Sequence, residues 1–324
     1  MKLKKGLKKL IPFSFAFFLL LIAIIVPTEY SVTSPGELTA VESSIKIDGV
    51  ENSTNFYTTS VYYSTRASAL FRMVMELDNR NEVERMTTYE KSISLNDDYL
   101  MGQLSKRYSY YSSLVNAYSE ASKIDSTISI DYEIDSLLLY YRPSKLSSLN
   151  IGDEIISIDG QLITKNNYLD VIQEARKPQI ELTIKRDEKL FNQTVIYQKG
   201  DYYLGFFPNI KIISSTPTFT LPGLNTLTGG PSGGLMQTLN IYASLLKLNF
   251  DNLKIAGTGT LNLEGTVGAI GGAVQKIHTA NKRKADIFFM AYDNHNEVIS
   301  IDKKFKYYPV KTFAEAVAIL MGLN

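Results

Sequence analysis

The order of apolar and polar positions divides the chain into segments of different periodicity. Residues 10–26 contain no charged side chain, which predicts an apolar helix near the amino terminus. Residues 98–123 instead repeat apolar side chains every three or four positions, as one face of a helix requires. These positions are Leu104, Tyr108, Tyr111, Val115 and Tyr118. We expect this tyrosine-rich stripe to pack into a core.

Residues 126–200 change to the pattern of short strands around one helix. Runs rich in β-branched residues predict strands at 128–134, 137–141, 154–158, 180–186 and 191–198, and the segment 167–176 predicts a helix. The sequence therefore predicts a compact, mostly β unit of about 75 residues.

The flanking segments mix strands and helices. On the amino-terminal side, strands are predicted at 45–47 and 56–61, a turn at 34–36 and a helix at 64–78. After residue 201, helices are predicted from Pro231 or Ser232 to about 247, at 273–283 and at 313–321, with strands at 255–263 and 287–290. The fold class predicted is α+β.

Composition and charge exclude several function classes. The 324 residues carry 34 basic and 33 acidic side chains, and five of the lysines lie within the first nine positions. The remainder is slightly acidic, which argues against a nucleic-acid partner. The absence of cysteine excludes disulfides and thiol catalysis, and only His278 and His295 are available as imidazole ligands. No metal or cofactor is expected.

The amino terminus has the pattern of a membrane anchor. A lysine cluster precedes residues 10–26, and a helix of that length spans about 25 Å, enough to cross a bilayer core. Pro12 falls in its first turn, where a missing N–H has little effect. The lysines are expected to stay cytoplasmic, so that everything after about residue 27 lies outside a single-pass cell-membrane span. The alternative is a cleaved signal peptide, but no A-x-A-like site follows the apolar run.

One string within the β unit resembles a known signature. Ile151-Gly152-Asp153-Glu154-Ile155-Ile156-Ser157-Ile158-Asp159-Gly160 is similar to the G-D-x-I-x-x-I-D-G motif of PDZ domains. These domains bind an extended peptide by adding it to a sheet edge. The resemblance places that edge at about 136–141, although no Gly-rich carboxylate loop precedes it. A purely structural role for the unit is the alternative.

A serine among glycines is the first candidate for catalysis. Ser232 lies in Gly230-Pro231-Ser232-Gly233-Gly234, at the start of a predicted helix. Glycines let a substrate approach closely, and a helix amino terminus favours an oxyanion. A serine hydroxyl also needs a base to attack a carbonyl. Taken alone, such a motif is more often a helix cap than a nucleophile.

Lys276 is the candidate base. It lies 44 residues beyond Ser232, on the side of its predicted helix that carries Ala273 and Ala280. An amine desolvated at that margin has a lowered pKa and can accept a proton when neutral. The alternative is a solvated lysine beside the neighbouring basic residues.

Together these motifs resemble the proteolytic domain of Lon-type proteases. The resemblance rests on three ordered segments and Lys276: Gly230-Pro231-Ser232-Gly233-Gly234-Leu235-Met236, Ala256-Gly257-Thr258-Gly259-Thr260-Leu261 and Gly265-Thr266-Val267-Gly268-Ala269-Ile270-Gly271-Gly272. It implies a Ser–Lys dyad of Ser232 and Lys276, with Thr258 orienting the lysine and Gly230 and Pro231 supporting the serine. Two departures are Gly233 in place of alanine and Ala269 in place of proline. Neither removes a reacting group.

The full layout resembles a narrower group, the membrane-anchored Lon-like proteases with an inserted PDZ domain. This implies cytoplasmic lysines and an anchor at 1–27, a first part of the protease region at 28–125, the PDZ-like unit at 126–200 and the proteolytic domain at 201–324. The chain has no Gly-Lys dipeptide and hence no Walker A motif. The implied activity is ATP-independent cleavage of peptides or small proteins at the outer membrane face. Lon-type domains tend to assemble as rings, so the resemblance leaves homo-oligomerisation open.

Three other interpretations use the same residues. Gly230-x-Ser232-x-Gly234 also fits the nucleophile elbow of esterases, with Asp251, Asp286 or Asp293 and His295 completing a triad. However, no apolar strand directly precedes it. A catalytically silent scaffold with a peptide-binding PDZ unit is the second. The third, a dinucleotide fingerprint in the glycines at 257–272, lacks the third glycine and the acidic residue in register.

Overall fold

The computed structural model describes residues 2–41, 45–198, 202–223, 230–250 and 253–323, with side chains from residue 13 onward. Its helices are α1 (Lys2–Ile25), α2 (Ala69–Met75), α3 (Thr88–Ser92), α4 (Leu95–Ala121), α5 (Tyr168–Glu174), α6 (Gly234–Leu245), α7 (Ala273–Lys282), α8 (His295–Val298) and α9 (Phe313–Met321). Its strands are β1 (Tyr30–Ala40), β2 (Lys46–Ile47), β3 (Phe56–Ser64), β4 (Glu82–Arg85), β5 (Ser129–Tyr141), β6 (Glu154–Ile158), β7 (Gln161–Leu162), β8 (Gln179–Arg186), β9 (Lys189–Ile196), β10 (Gly205–Thr216), β11 (Phe219–Thr220), β12 (Ile255–Thr258), β13 (Thr260–Leu261), β14 (Val267–Gly268), β15 (Ile287–Ala291) and β16 (Lys306–Val310).

The first sheet, which we call the mixed sheet, has the order β16-β15-β12-β3-β1-β4. Its first four strands are parallel, whereas β1 and β4 run antiparallel to their neighbours. All five residues of β15 are buried, as expected of a central parallel strand covered on both faces. Successive side chains of β15 point to opposite faces of the sheet and therefore enter two different cores.

Helices cover both faces of the mixed sheet. On one face, Phe289 of β15 joins a core formed with α4, α6 and α9, which includes Leu114 and Leu239. On the other face, Phe288 and Met290 pack against α7. The mixed sheet therefore lies between two layers of helices, and β12 is one of its interior strands.

The second sheet, the antiparallel sheet, has the order β10-β5-β6-β8-β9, with β7 added beside β6. It has its own core, which includes Tyr168 and Val171 of α5. The sheet extends beyond the predicted unit 126–200, because β10 pairs with β5 along almost its whole length. The placement of a peptide-binding edge at 136–141 is wrong, since β5 lies between β10 and β6. The edge strand on that side is β10.

Helix α4 joins the two cores. Leu114, Ala117 and Tyr118 are buried against the mixed sheet, whereas Val115 belongs to the core of the antiparallel sheet and Tyr108 packs against it. The predicted stripe is therefore buried only in part: Val115 and Tyr118 lie in the two cores, whereas Leu104, Tyr108 and Tyr111 remain partly exposed.

The predicted turn at 34–36 is also wrong. Pro35 and Gly36 lie inside β1, where the pairing with β3 shifts between Pro35 and Leu38. A Cβ at Gly36 would lie 2.5 Å from the backbone oxygen of Ser60. Glycine here permits close strand approach at a bulge rather than a chain reversal.

Helix α1 begins at Lys2 and ends at Ile25, so it contains nearly all of the apolar helix predicted at 10–26 but starts earlier, within the lysine cluster. Among the residues open to description, we find no helix that combines the length and apolarity needed to cross a membrane.

Candidate active site

Ser232 lies in a 3₁₀ turn that leads into α6. The turn spans Pro231–Gly233, and α6 follows at Gly234. Gly230 has a φ of 104°, a conformation that non-glycine residues rarely adopt, and Pro231 follows where a helix start accepts proline. The helix predicted from this point is confirmed, but its first turn is 3₁₀. Ser232 is half-buried.

The backbone around Ser232 is fixed by the end of β12. The Gly259 N–H donates to the Ser232 carbonyl at 2.8 Å, and the Leu235 N–H donates to the Gly259 carbonyl at 3.1 Å. A Cβ on Gly259 would lie 3.3 Å from Leu235 Cβ in the serine segment, and 2.8 Å from Val267 Cγ1 in β14. The glycine therefore allows the two segments to lie this close, and their reciprocal bonds hold Ser232 against Thr258.

Lys276 is buried on the inward side of α7. Only 3% of its surface is exposed, and its neighbours Ala273, Ile277 and Ala280 are fully in the core. The helix starts after Gly272, whose φ of 67° is left-handed. Burial lowers the pKa of the Lys276 ammonium from 10.5 to about 8, because the apolar surroundings disfavour the charged form. The solvated-lysine alternative is therefore excluded.

Thr258 connects the lysine to the serine. Lys276 Nζ donates to Thr258 Oγ1 at 3.0 Å, and the Thr258 hydroxyl donates to the Ser232 carbonyl oxygen at 3.1 Å. Thr258 is itself fully buried. Because the Thr258 hydroxyl donates its proton to the Ser232 carbonyl, its lone pairs face the Lys276 amine. These lone pairs can accept a hydrogen bond from neutral lysine as well as from the ammonium. The arrangement holds a largely desolvated amine within two hydrogen bonds of the serine's peptide group.

Two positioning residues could not be found from the sequence pattern. Asn294 is buried; its Oδ1 accepts from the Ile270 N–H and its Nδ2 donates to the Ile270 carbonyl, both at 2.9 Å. This clamp fixes the loop that precedes α7. Thr58 of β3 faces Gly233, where an added Cβ would lie 3.1 Å from Thr58 Oγ1. No motif indicates either residue, because each contact joins distant segments.

The candidate esterase residues have other partners. The His295 ring lies against Tyr307, with Nδ1 3.3 Å from the tyrosine hydroxyl, and Asp286 accepts from the Lys254 N–H. Asp293 is exposed, and Asp251 lies outside the described residues. Within the described ranges no group of three or more acidic or imidazole side chains could hold a metal ion.

The same region of the chain matches known proteins. The family of the Lon protease (S16) C-terminal proteolytic domain matches residues 147–321, more than half of the chain. Lon protease 2 of Bacillus subtilis (strain 168) is 32% identical over 88 residues, which are 27% of this chain and 16% of that protein. Lon protease of Buchnera aphidicola subsp. Schizaphis graminum (strain Sg) is 25% identical over 187 residues, 54% of this chain and 22% of that protein.

The match spans both the proteolytic motifs and much of the antiparallel sheet, whereas the chain covers less than a quarter of either relative. Ser232, Thr258 and Lys276 all fall inside it. The chain belongs to the family of the Lon protease (S16) C-terminal proteolytic domain and is a serine protease.

Proposed function

We propose that the chain is an ATP-independent serine endopeptidase in which Ser232 is the nucleophile and Lys276 the general base. The observation that carries this proposal is the chain of hydrogen bonds from Lys276 through Thr258 to the Ser232 backbone. A lysine with a pKa of about 8 is partly neutral near physiological pH, so it can accept the serine proton.

The proposed reaction has two halves. Neutral Lys276 takes the proton of the Ser232 hydroxyl while the oxygen attacks the scissile carbonyl, and backbone N–H groups beside the serine stabilise the oxyanion. The Lys276 ammonium then gives that proton to the leaving amine, which forms the acyl-enzyme. Water, deprotonated by the same amine, releases the product and returns the proton to Ser232.

We further propose that the antiparallel sheet is an inserted PDZ-like unit and that it binds the substrate. An extended peptide binds such a unit by adding to a free sheet edge. Among the strands that the structure describes, none pairs with the outer side of β10, whereas β5 is paired on both sides. The aromatic stack of Tyr140, Phe207 and Tyr108 joins this edge to α4. Helix α4 in turn packs on α6, where the Ser113 hydroxyl donates to the Gly234 carbonyl.

We place the protease at the outer face of the cell membrane, anchored by residues 10–26. The supporting observations are the charge-free run after the lysine cluster and the exposed apolar side chains of α1. ATP-independence is supported by the absence of a Gly-Lys dipeptide anywhere in the sequence.

The test compares four full-length proteins in lipid nanodiscs: wild type, Ser232→Ala, Lys276→Ala and the double variant. We expect wild type to cleave an unfolded protein substrate without ATP, and both variants to lose nearly all activity. Since the two residues act as a unit, the double variant should lose no more than either single one. Wild type indistinguishable from Ser232→Ala would instead favour the silent scaffold.

The same assay distinguishes the Ser–Lys protease from the esterase. His295→Ala should retain wild-type turnover, because His295 contacts Tyr307 and not the serine segment. Loss of activity in His295→Ala, with Lys276→Ala still active, would contradict the dyad. Peptides released by cells that carry wild type, but not by cells with Ser232→Ala, would identify natural substrates.

A further inference from the structure

Helix α2 presents its apolar side to the outside of the protein. It has no buried residue, and its apolar side chains Phe71, Met73 and Val74 are 41%, 63% and 54% exposed. Leu77, two residues beyond the helix end, is 87% exposed. A surface helix of a soluble protein ordinarily turns this side toward a core.

On its charged side, α2 contacts the rest of the protein through Arg72. At 3.6 residues per turn, Arg72 and the following cap residue Glu76 share one side, with Val74 opposite and Met73 and Leu77 roughly 80° and 120° from their midpoint. The Arg72 guanidinium lies 3.7 Å from the centre of the Tyr30 ring in β1, and its Nε donates to Glu76 Oε1 at 2.7 Å. The contact with Tyr30 opposes a rotation that would turn the apolar side inward, whereas the Arg72–Glu76 pair lies within one segment and stabilises only that segment.

The position of α2 relative to α1 indicates what covers this apolar side. The segment before α2 is hydrogen-bonded to the residues that follow α1: the Thr28 N–H donates to the Ala67 carbonyl at 2.9 Å, and Pro27 forms a bridge with Ser68. The side chains of α1 just before this junction are exposed and apolar, as in Ile25 and Val26. The outward side of α2 therefore starts where the apolar run of α1 ends.

We propose that α2 is an interfacial membrane helix, whose side formed by Phe71, Met73, Val74 and Leu77 is embedded in the lipid surface beside the anchor. The inference rests on the membrane anchoring proposed above. A helix with an apolar side and a charged side lies in the plane of the membrane interface, with its charged side chains toward water and protein. Lipid is favoured over a second copy of the chain because the junctions Thr28–Ala67 and Pro27–Ser68 place α2 beside the exposed apolar end of α1.

This contact would fix the orientation of the catalytic unit on the membrane. Tyr30, which holds Arg72, is the first residue of β1, and β1 pairs along β3, whose Thr58 faces Gly233 beside the nucleophile. A helix pinned to the lipid at one end of this hairpin holds Ser232 at a set distance from the surface.

The cysteine-free sequence allows a direct test. Full-length variants with one cysteine each, Val74→Cys, Leu77→Cys and Glu76→Cys, are labelled with an environment-sensitive fluorophore and reconstituted into phosphatidylcholine vesicles. Glu76→Cys is the matched control, because position 76 lies roughly 160° around the same short segment from Val74. Leu20→Cys in α1 reports on anchoring separately. Thermal unfolding confirms that each variant is folded.

We expect lipids carrying a doxyl quencher to quench the labels at positions 74 and 77 at least threefold more than the label at 76. Aqueous iodide should show the reverse order. If the label at 20 is quenched by doxyl lipid while 74 and 77 are quenched by iodide as strongly as 76, the helix lies in water and the inference is wrong.

Two other outcomes are also decisive. Labels at 74 and 77 that are shielded from both quenchers would indicate a protein contact, such as a second copy, and would overturn the lipid assignment. A label at 20 that stays accessible to iodide would refute the anchoring itself, whatever the labels on α2 report.

Discussion

The amine of Lys276 and the hydroxyl of Thr258 are 3.0 Å apart, and both side chains are almost completely removed from water. A charged ammonium in this position has one protein hydroxyl in place of a hydration shell, which is why its pKa falls to about 8. The same contact fixes where the amine lies relative to the Ser232 peptide group. The buried contact with Thr258 therefore both favours the neutral form of Lys276 and sets its position.

The first prediction is a pH–rate profile set by Lys276. Below pH of about 8 the amine is mostly protonated, so kcat/KM should rise about tenfold per pH unit and level off above pH 8. Cleavage of an internally quenched peptide between about pH 6 and pH 10 measures this. Lys276→Arg should be inactive across the range, since guanidinium stays protonated. A profile already flat at pH 6 would contradict the assignment of the base.

The second prediction concerns stability. Between pH of about 8 and 10.5 the unfolded state binds more protons at Lys276 than the folded state, so the free energy of unfolding rises with pH in that window. Below pH 8 the folded protein carries the full cost of the buried charge, on the order of 3 kcal/mol. Lys276→Met should therefore be more stable than wild type at pH 7, as measured by chemical denaturation.

The control for that prediction is Lys282→Met, which changes an exposed lysine in the same helix. Its stability difference from wild type should be small and independent of pH. For Lys276→Met the advantage should shrink as the pH approaches 10. An advantage that stayed constant with pH would show that packing, rather than the charge, is responsible.

The third prediction isolates the Thr258 hydroxyl. Thr258→Val keeps the shape but removes both hydrogen bonds of the bridge and leaves the Lys276 amine without that partner. Loss of one buried bond to a functional group costs about 1–3 kcal/mol, so kcat should fall roughly 10- to 100-fold. Thr258→Ser, which retains the hydroxyl, should keep most of the activity. Equal rates for Val and Ser variants would exclude a positioning role.

Local pattern predicted those elements whose burial is one-sided and regular. The strand predicted at 154–158 is β6 with the same bounds, and the helix predicted at 273–283 is α7 to within one residue. In both, the alternation or the 3.6 period reports the buried side directly. The edge strand β10 escaped prediction because Gly205 and Pro208 interrupt its pattern, and its pairing with β5 comes from a segment far away in sequence.

Only part of the candidate site could be predicted from the sequence. Ser232 and Lys276 could be selected by motif and order, and Thr258 by resemblance. Spacing alone could not show that the lysine is buried, because that depends on β12, β15 and α7 packing together. The two hydrogen bonds between Asn294 and Ile270 could not be predicted either, because they join a loop to a turn through tertiary contact alone.

The last prediction uses the departure from the family motif at Gly233. A methyl group there would lie 3.1 Å from Thr58 Oγ1, closer than side chains normally approach, although its φ of −87° suits alanine. Gly233→Ala should therefore displace the turn that carries Ser232 and lower kcat/KM roughly fivefold, equivalent to about 1 kcal/mol.

Thr58→Ala should restore activity in that background, because it removes the hydroxyl while the threonine Cβ, 3.7 Å from the added methyl, makes an ordinary contact. A double-mutant cycle on kcat/KM measures the coupling, which should be about 1 kcal/mol and favourable in the double variant. Additive effects of the two substitutions would show that β3 and the serine turn do not constrain each other. Coupling of the expected sign would mean that the glycine is matched to the threonine beside it, and that the nucleophile is positioned by the amino-terminal half of the chain as well as by the lysine's half.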